Sequence, residues 1–121
     1  VILKYETTVD RVGAHAATFL EEKMLILFGK DAPAELEDYC LSIVINDLKE
    51  SINVGDILQL NDREYRITAV GEAVEKNLAT LGHITLNFDG SQIPELPGTL
   101  YLEDRPISEV DIGDEIKIYE R

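Results

Sequence analysis

The sequence contains no tryptophan, one cysteine, one methionine, two histidines and four prolines in 121 residues. With Cys40 as its single thiol, the chain cannot form an internal disulfide. One cysteine and two histidines also fall short of the N/S ligand set that a structural zinc site usually takes. Aromatic residues make up 7% of the chain, so stacking surfaces for sugar rings are scarce and a sugar-binding barrel is a weak reading. No apolar run approaches the roughly 18 residues of a membrane-spanning helix, and direct membrane insertion is not expected. Positive charge is also short: 11 Lys and Arg against 24 Asp and Glu give a net charge of −13. Such a field repels phosphate backbones and anionic lipid, which sets nucleic-acid binding and membrane-surface attachment aside. Acidity of this degree otherwise simply keeps a protein dispersed. The opening VILKYETT has no basic-then-apolar-then-small export pattern, and the start at Val1 points to a residue missing ahead of it. A reducing, cytoplasmic compartment is expected.

What is present is ordinary globular composition, with 45% hydrophobic and 29% charged residues. The length suits one domain over residues 1–121, large enough to bury a core without a staple. Short β-like runs separated by turn residues dominate: Ile2–Val12, Met24–Phe28, Tyr39–Ile45, Ile57–Leu60, Glu64–Val70, His83–Phe88, Thr99–Leu102 and Glu115–Tyr119. In Tyr39–Ile45 the alternation sets Tyr39, Leu41, Ile43 and Ile45 on one apolar face. Asn61-Asp62-Arg63 reads as a hairpin turn. Glu72–Leu81 has helical spacing of Val74, Leu78 and Leu81, with Gly82 suited to the position after the helix end. Ala14–Lys23 is a weaker helix, and Pro33 can open a single turn through Leu36. The pattern predicts a mostly β fold: a small closed or nearly closed antiparallel barrel with one clear helix and one or two short helical turns. Val54–Leu60 echoes Ile112–Ile118, each a Gly-Asp turn followed by an alternating strand; this reads as one turn device used twice, with each Asp bonding its own backbone.

Catalytic signatures are missing: no P-loop, no nucleophile-elbow serine, no paired zinc-ligand histidines, no calcium-loop spacing. No cofactor is implied. His83 follows Gly82 at the mouth of a strand, on the side of Thr85 and Asn87, while Ile84, Leu86 and Phe88 face the other way. From spacing alone it is either a surface histidine or a nucleophile or general base, since imidazole titrates near neutral pH. Thr85 or Asn87 is placed to fix its tautomer. His15 sits in the weak helix with nothing polar spaced to orient it, and Cys40 reads as a small buried hydrophobe.

The order of short motifs carries a further reading. Tyr5-Glu6-Thr7-Thr8 is followed by Arg11-Val12-Gly13-Ala14, Met24–Phe28 and Ala32–Cys40. Then come Thr68-Ala69-Val70-Gly71, Asn77-Leu78, Leu81–Leu86, Phe88-Asp89-Gly90 and Pro97-Gly98-Thr99. In this order and spacing the chain resembles the glucitol/sorbitol-specific enzyme IIA component of the bacterial phosphoenolpyruvate:sugar phosphotransferase system. The resemblance implies a cytoplasmic, cofactor-free phosphoryl carrier. Such a carrier takes phosphate from the phosphohistidine of HPr and passes it to the IIB part of a IIB/IIC sugar-alcohol permease. In the family pattern, histidines stand at the positions of Ile43 and Ile45, and the first is the phosphorylated one. Isoleucine cannot accept a phosphoryl group. The resemblance therefore implies three alternatives: His83 is the acceptor, supported by Thr85; the chain is a diverged, non-catalytic member; or it is a regulatory binding module using the apolar face at Ile43 and Ile45.

Overall fold

Alternation decides which side chains each strand buries. In β1 (Ile2–Val12), Tyr5, Thr7 and Val9 are buried while Glu6, Thr8 and Asp10 are exposed. The computed structural model, which describes residues 1–107 and 109–121, adds β2 (Met24–Phe28), β3 (Leu41–Ile43), β4 (Ile57–Leu60) and β5 (Arg63–Val70). It continues with β6 (Ile84–Asn87), β7 (Thr99–Leu102) and β8 (Glu115–Glu120). The strands close into a barrel in the order β1-β3-β2-β6-β7-β5-β4-β8. Closure leaves no free sheet edge, and the inward residues form one core around Val9, Leu27, Leu58, Ile67, Leu86 and Leu100.

The barrel is mixed, not wholly antiparallel: β2 runs parallel to β3, and β6 runs parallel to β7. A parallel pair needs a crossover. The first crossover holds α1 (Ala34–Glu37), and the second runs through residues 88–98. Both are short and rich in turn residues, so in sequence they look like long hairpin loops. The expected long helix is α2 (Val74–Leu81), ended by Gly82 in the left-handed conformation at φ 64°. The weaker helix is a 3-10 helix, Ala16–Glu22. Strand β3 is shorter than the expected Tyr39–Ile45: Tyr39 is exposed, Leu41 and Ile43 are in the core, and Ile45 is half-buried. The four residues do not make one exposed apolar face.

The echo between the two Gly-Asp turns is part of a larger correspondence. Gly55 N–H donates to the Ile67 carbonyl and Ile67 N–H to that of Asp56; likewise Gly113 N–H donates to Val9 and Val9 N–H to Asp114. The Asp56 carboxylate accepts from Asn53 N–H, and that of Asp114 from Asp111 N–H. His15 N–H donates to the Asp38 carbonyl as Ala73 N–H does to Pro97, and Gly29 N–H to Leu81 as Phe88 N–H does to Lys23. The first four strands and the last four are thus two copies of one half-barrel, related by an approximate twofold between β2 and β6 and between β4 and β8. Few side chains survive in both copies, which hides the repeat from a sequence reading.

Gly13 and Gly71 occupy equivalent places and show why glycine stays at both. A Cβ on Gly13 would run into the carbonyl oxygens of Glu37 and Asp38; on Gly71 it would meet those of Leu96 and Pro97. Backbone, not a flexible side-chain end, would have to move. Gly71→Ala is expected to cost about 2 kcal/mol, read as a lower midpoint in urea unfolding with the slope unchanged.

Candidate functional site

His83 is set by the end of α2. Its backbone N–H donates to the Asn77 carbonyl at 3.2 Å, and the left-handed Gly82 turns the chain into β6. The imidazole is half-buried and stacks on Phe28, with ring centroids 4.1 Å apart and planes 18° from parallel. Its Nδ1 lies 3.1 Å from the Leu27 carbonyl oxygen. A carbonyl only accepts, so Nδ1 carries the hydrogen and Nε2 keeps the free lone pair. The tautomer is fixed by the backbone of β2, and neither Thr85 nor Asn87 is its partner.

His83 lines a cavity of about 460 Å³. Ile26 and Thr85, cross-strand partners in β2 and β6, contribute to the same cavity. Phe19 comes from the 3-10 helix, Glu35 and Leu36 from α1, and Tyr39 and Cys40 from the segment leading into β3. The wall is mostly apolar. Among the described residues that line it, none is Lys or Arg, and Glu35 is the only carboxylate. Burial pushes the Cys40 thiol up, which keeps it protonated and unreactive at neutral pH.

His15 lies outside this lining. It is exposed at the start of the 3-10 helix, makes no side-chain cap, and places its ring 5.7 Å from that of Tyr39. Ile43 is 1% exposed and sits opposite Val9 in the core. Ile45 packs against Gly29 and Gly82, directly behind His83 in the chain. A second hollow of about 310 Å³ borders both isoleucines together with Asp10, Lys30 and Val44. The structure therefore brings His83 and Thr85 together and keeps His15 and Ile43 apart from them. Phe19, Glu35, Leu36 and Tyr39 were not legible as site residues. The one signal pointing to them is Pro33, which starts the turn that carries Glu35 and Leu36 into the lining of the His83 cavity.

Residues 4–117 match the family described as PTS system glucitol/sorbitol-specific IIA component. This chain belongs to that family. It is similar to the PTS system glucitol/sorbitol-specific EIIA components of Shigella flexneri and Escherichia coli (strain K12). Each is 40% identical over 113 residues, covering 93% of this chain and 92% of the relative. The fold is similar to the crystal structure of a PTS system IIA component from Enterococcus faecalis V583, with a TM-score of 0.84 and 30% identity. That match covers 96% of this chain and 100% of the other. No described helix of this IIA chain is long and apolar enough to cross a membrane. The residues that line the His83 cavity all fall within the matched segment and come from both half-barrels.

Proposed function

We propose that this IIA chain carries a phosphoryl group on Nε2 of His83. It takes the group from the phosphohistidine of HPr and hands it to the IIB part of a glucitol/sorbitol-type permease on the cytoplasmic side. The observation that carries this reading is the hydrogen bond from Nδ1 to the Leu27 carbonyl, which leaves Nε2 as the free nucleophilic nitrogen beside an open cavity. In the transfer the Nε2–P bond forms as the N–P bond to the donor imidazole breaks, and the donor leaves with the electron pair. The hydrogen on Nδ1 stays in place, so the phosphorylated ring is cationic and its charge rests against the Leu27 carbonyl. Little other covalent chemistry is needed. Positioning of the two rings, exclusion of water by the apolar wall, and hydroxyl donors such as Thr85 supply the rest.

In this chain position 43 cannot be the acceptor, because Ile43 has no nucleophilic atom and is 1% exposed opposite Val9. The alternative, a non-catalytic module built on an apolar face at Ile43 and Ile45, loses Ile43 to the core and keeps the half-buried Ile45.

The test incubates the chain with phosphoenolpyruvate, enzyme I and HPr. Acid-labile, base-stable label is expected on the peptide containing His83, with nitrogen NMR placing it on Nε2. Phosphorylated HPr beside an unlabelled chain would overturn the carrier role and leave the non-catalytic module; label on His15 would overturn the residue assignment. A second expectation concerns Glu35, an exposed residue whose carboxylate lines the same cavity as His83 with no Lys or Arg in the lining to offset it. Glu35→Gln is expected to relieve about 0.5–1 kcal/mol of repulsion, raising the phosphorylated fraction in equilibrium with HPr about two- to five-fold at low salt.

A further inference from the structure

The phosphoryl site needs hydrogen-bond donors, and the cavity has few. Among its lining residues, Tyr39 and Thr85 carry hydroxyls and Cys40 a weak thiol donor. Two rings from the 3-10 helix and its N-cap lie beside Tyr39. The ring of His15 lies 5.7 Å away and that of Phe19 lies 5.9 Å away. With 38% of its surface exposed, Tyr39 does not fill the core.

The barrel's internal twofold shows that the fold does not require this cluster. The counterpart of Tyr39 is Gly98: Pro97 before it accepts from Ala73 N–H, just as Asp38 before Tyr39 accepts from His15 N–H. The counterpart of Phe19 is Asn77, whose Nδ2 lies 3.8 Å from where a Cβ on Gly98 would stand. One half-barrel thus builds an aromatic clamp where the other has glycine and an amide, with the same backbone bonds. Tyr39 and Phe19 are on the wall that shares a cavity with His83, with His15 outside it.

We propose that Tyr39, clamped by His15 and Phe19, donates its phenolic hydrogen to an oxygen of the phosphoryl group on His83, and that this bond strengthens in the transition state of transfer. The inference rests on His83 being the acceptor. No proton moves: the phenol keeps its hydrogen, and the bonds made and broken are those between phosphorus and the two imidazole nitrogens. His15 and Phe19 are positioning residues. Their contacts restrict the Tyr39 ring, so less rotamer freedom is lost when the phosphoryl group arrives. This gives the chain's second histidine a role in the site without contact with phosphate.

The experiment follows transfer from phosphorylated HPr by rapid quench. Tyr39→Phe keeps the ring and removes the hydroxyl. It is expected to lower the transfer rate about 10- to 100-fold with KM for HPr within about twofold, and to shift the phosphorus NMR resonance of the phosphorylated chain. His15→Ala is expected to lose about three- to five-fold in rate, and His15→Phe to recover most of it by restoring an aromatic brace. A wild-type rate and unmoved resonance in Tyr39→Phe would overturn the proposal. A raised KM with the rate intact would overturn it too, making Tyr39 a docking contact. If the wild-type chain takes no label on His83, the acceptor reading falls and this inference with it; label on His83 with an indifferent Tyr39→Phe sinks the inference alone.

Discussion

His83→Ala is expected to abolish phosphoryl uptake from HPr, by at least about 10⁴-fold, while the barrel stays folded. The loss is complete in kind because no neighbouring group can substitute. The Thr85 and Tyr39 hydroxyls are weak nucleophiles, and Cys40 is buried as a protonated thiol. His15 is outside the cavity lining. The structural cost is modest, because the ring is half-buried and its main contact is the stack on Phe28. Removing it is worth about 1–2 kcal/mol, too little to unfold an ordinary domain. Matching circular dichroism spectra, a small drop in Tm and no label define the expected result. Label at an undiminished rate would place the acceptor elsewhere. His83→Gln adds a control, since it fills the same space without a nucleophilic nitrogen.

Asp56→Ala is expected to give the largest loss of stability, about 3–5 kcal/mol, through the group it abandons. Lys4 is 2% exposed, and its Nζ donates to Asp56 Oδ2 at 2.7 Å and to the Ser51 carbonyl at 2.8 Å. Without Asp56 the ammonium stays buried with only the Ser51 carbonyl and the more distant, half-exposed Glu120 carboxylate at 3.4 Å. The Asn53 N–H loses its acceptor as well, which opens the turn into β4. Burial pulls the Lys4 ammonium down, but the hydrogen bond and charge of Asp56, aided by Glu120, outweigh it and hold the group above the ordinary lysine range. A pKa raised by folding contributes stability that is fully present below the unfolded value of about 10.5 and fades as pH rises through the folded one. Urea midpoints measured from pH 9 upward should therefore fall more steeply for the wild type than for a Lys4→Met variant. Parallel curves would show that the pair does not couple to folding. The double variant Lys4→Met with Asp56→Ala should recover much of the single-variant loss, because no uncompensated charge then remains.

Most strand positions along the chain were legible because their causes are local. Alternation along Ile84–Phe88 sets Ile84, Leu86 and Phe88 inward and leaves His83, Thr85 and Asn87 half-buried on the other side, as the pattern predicts. The Gly-Asp turns are visible for the same reason: φ of 97° at Gly55 and 94° at Gly113 is open to glycine, and each aspartate bonds backbone three residues before it. The failures are where the cause is distant. Tyr39 alternates with Leu41 and Ile43, yet it lies outside the strand because α1 ends just before it and turns its ring toward the cavity.

From sequence alone came the mostly β class, the position of the clear helix, the polar side of β6 carrying His83, and the family to which the ordered motifs belong. These depend on period-two patterning, on backbone conformations tied to residue type, and on motif order along the chain. The tertiary structure alone decided that two strand pairs run parallel, that the two halves of the barrel repeat, and that Lys4 and Asp56 meet inside. It also decided which nitrogen of His83 is free. The Leu27 carbonyl that fixes it lies 56 residues away in sequence and reaches the ring only because β2 and β6 pair antiparallel, a contact that no local pattern encodes.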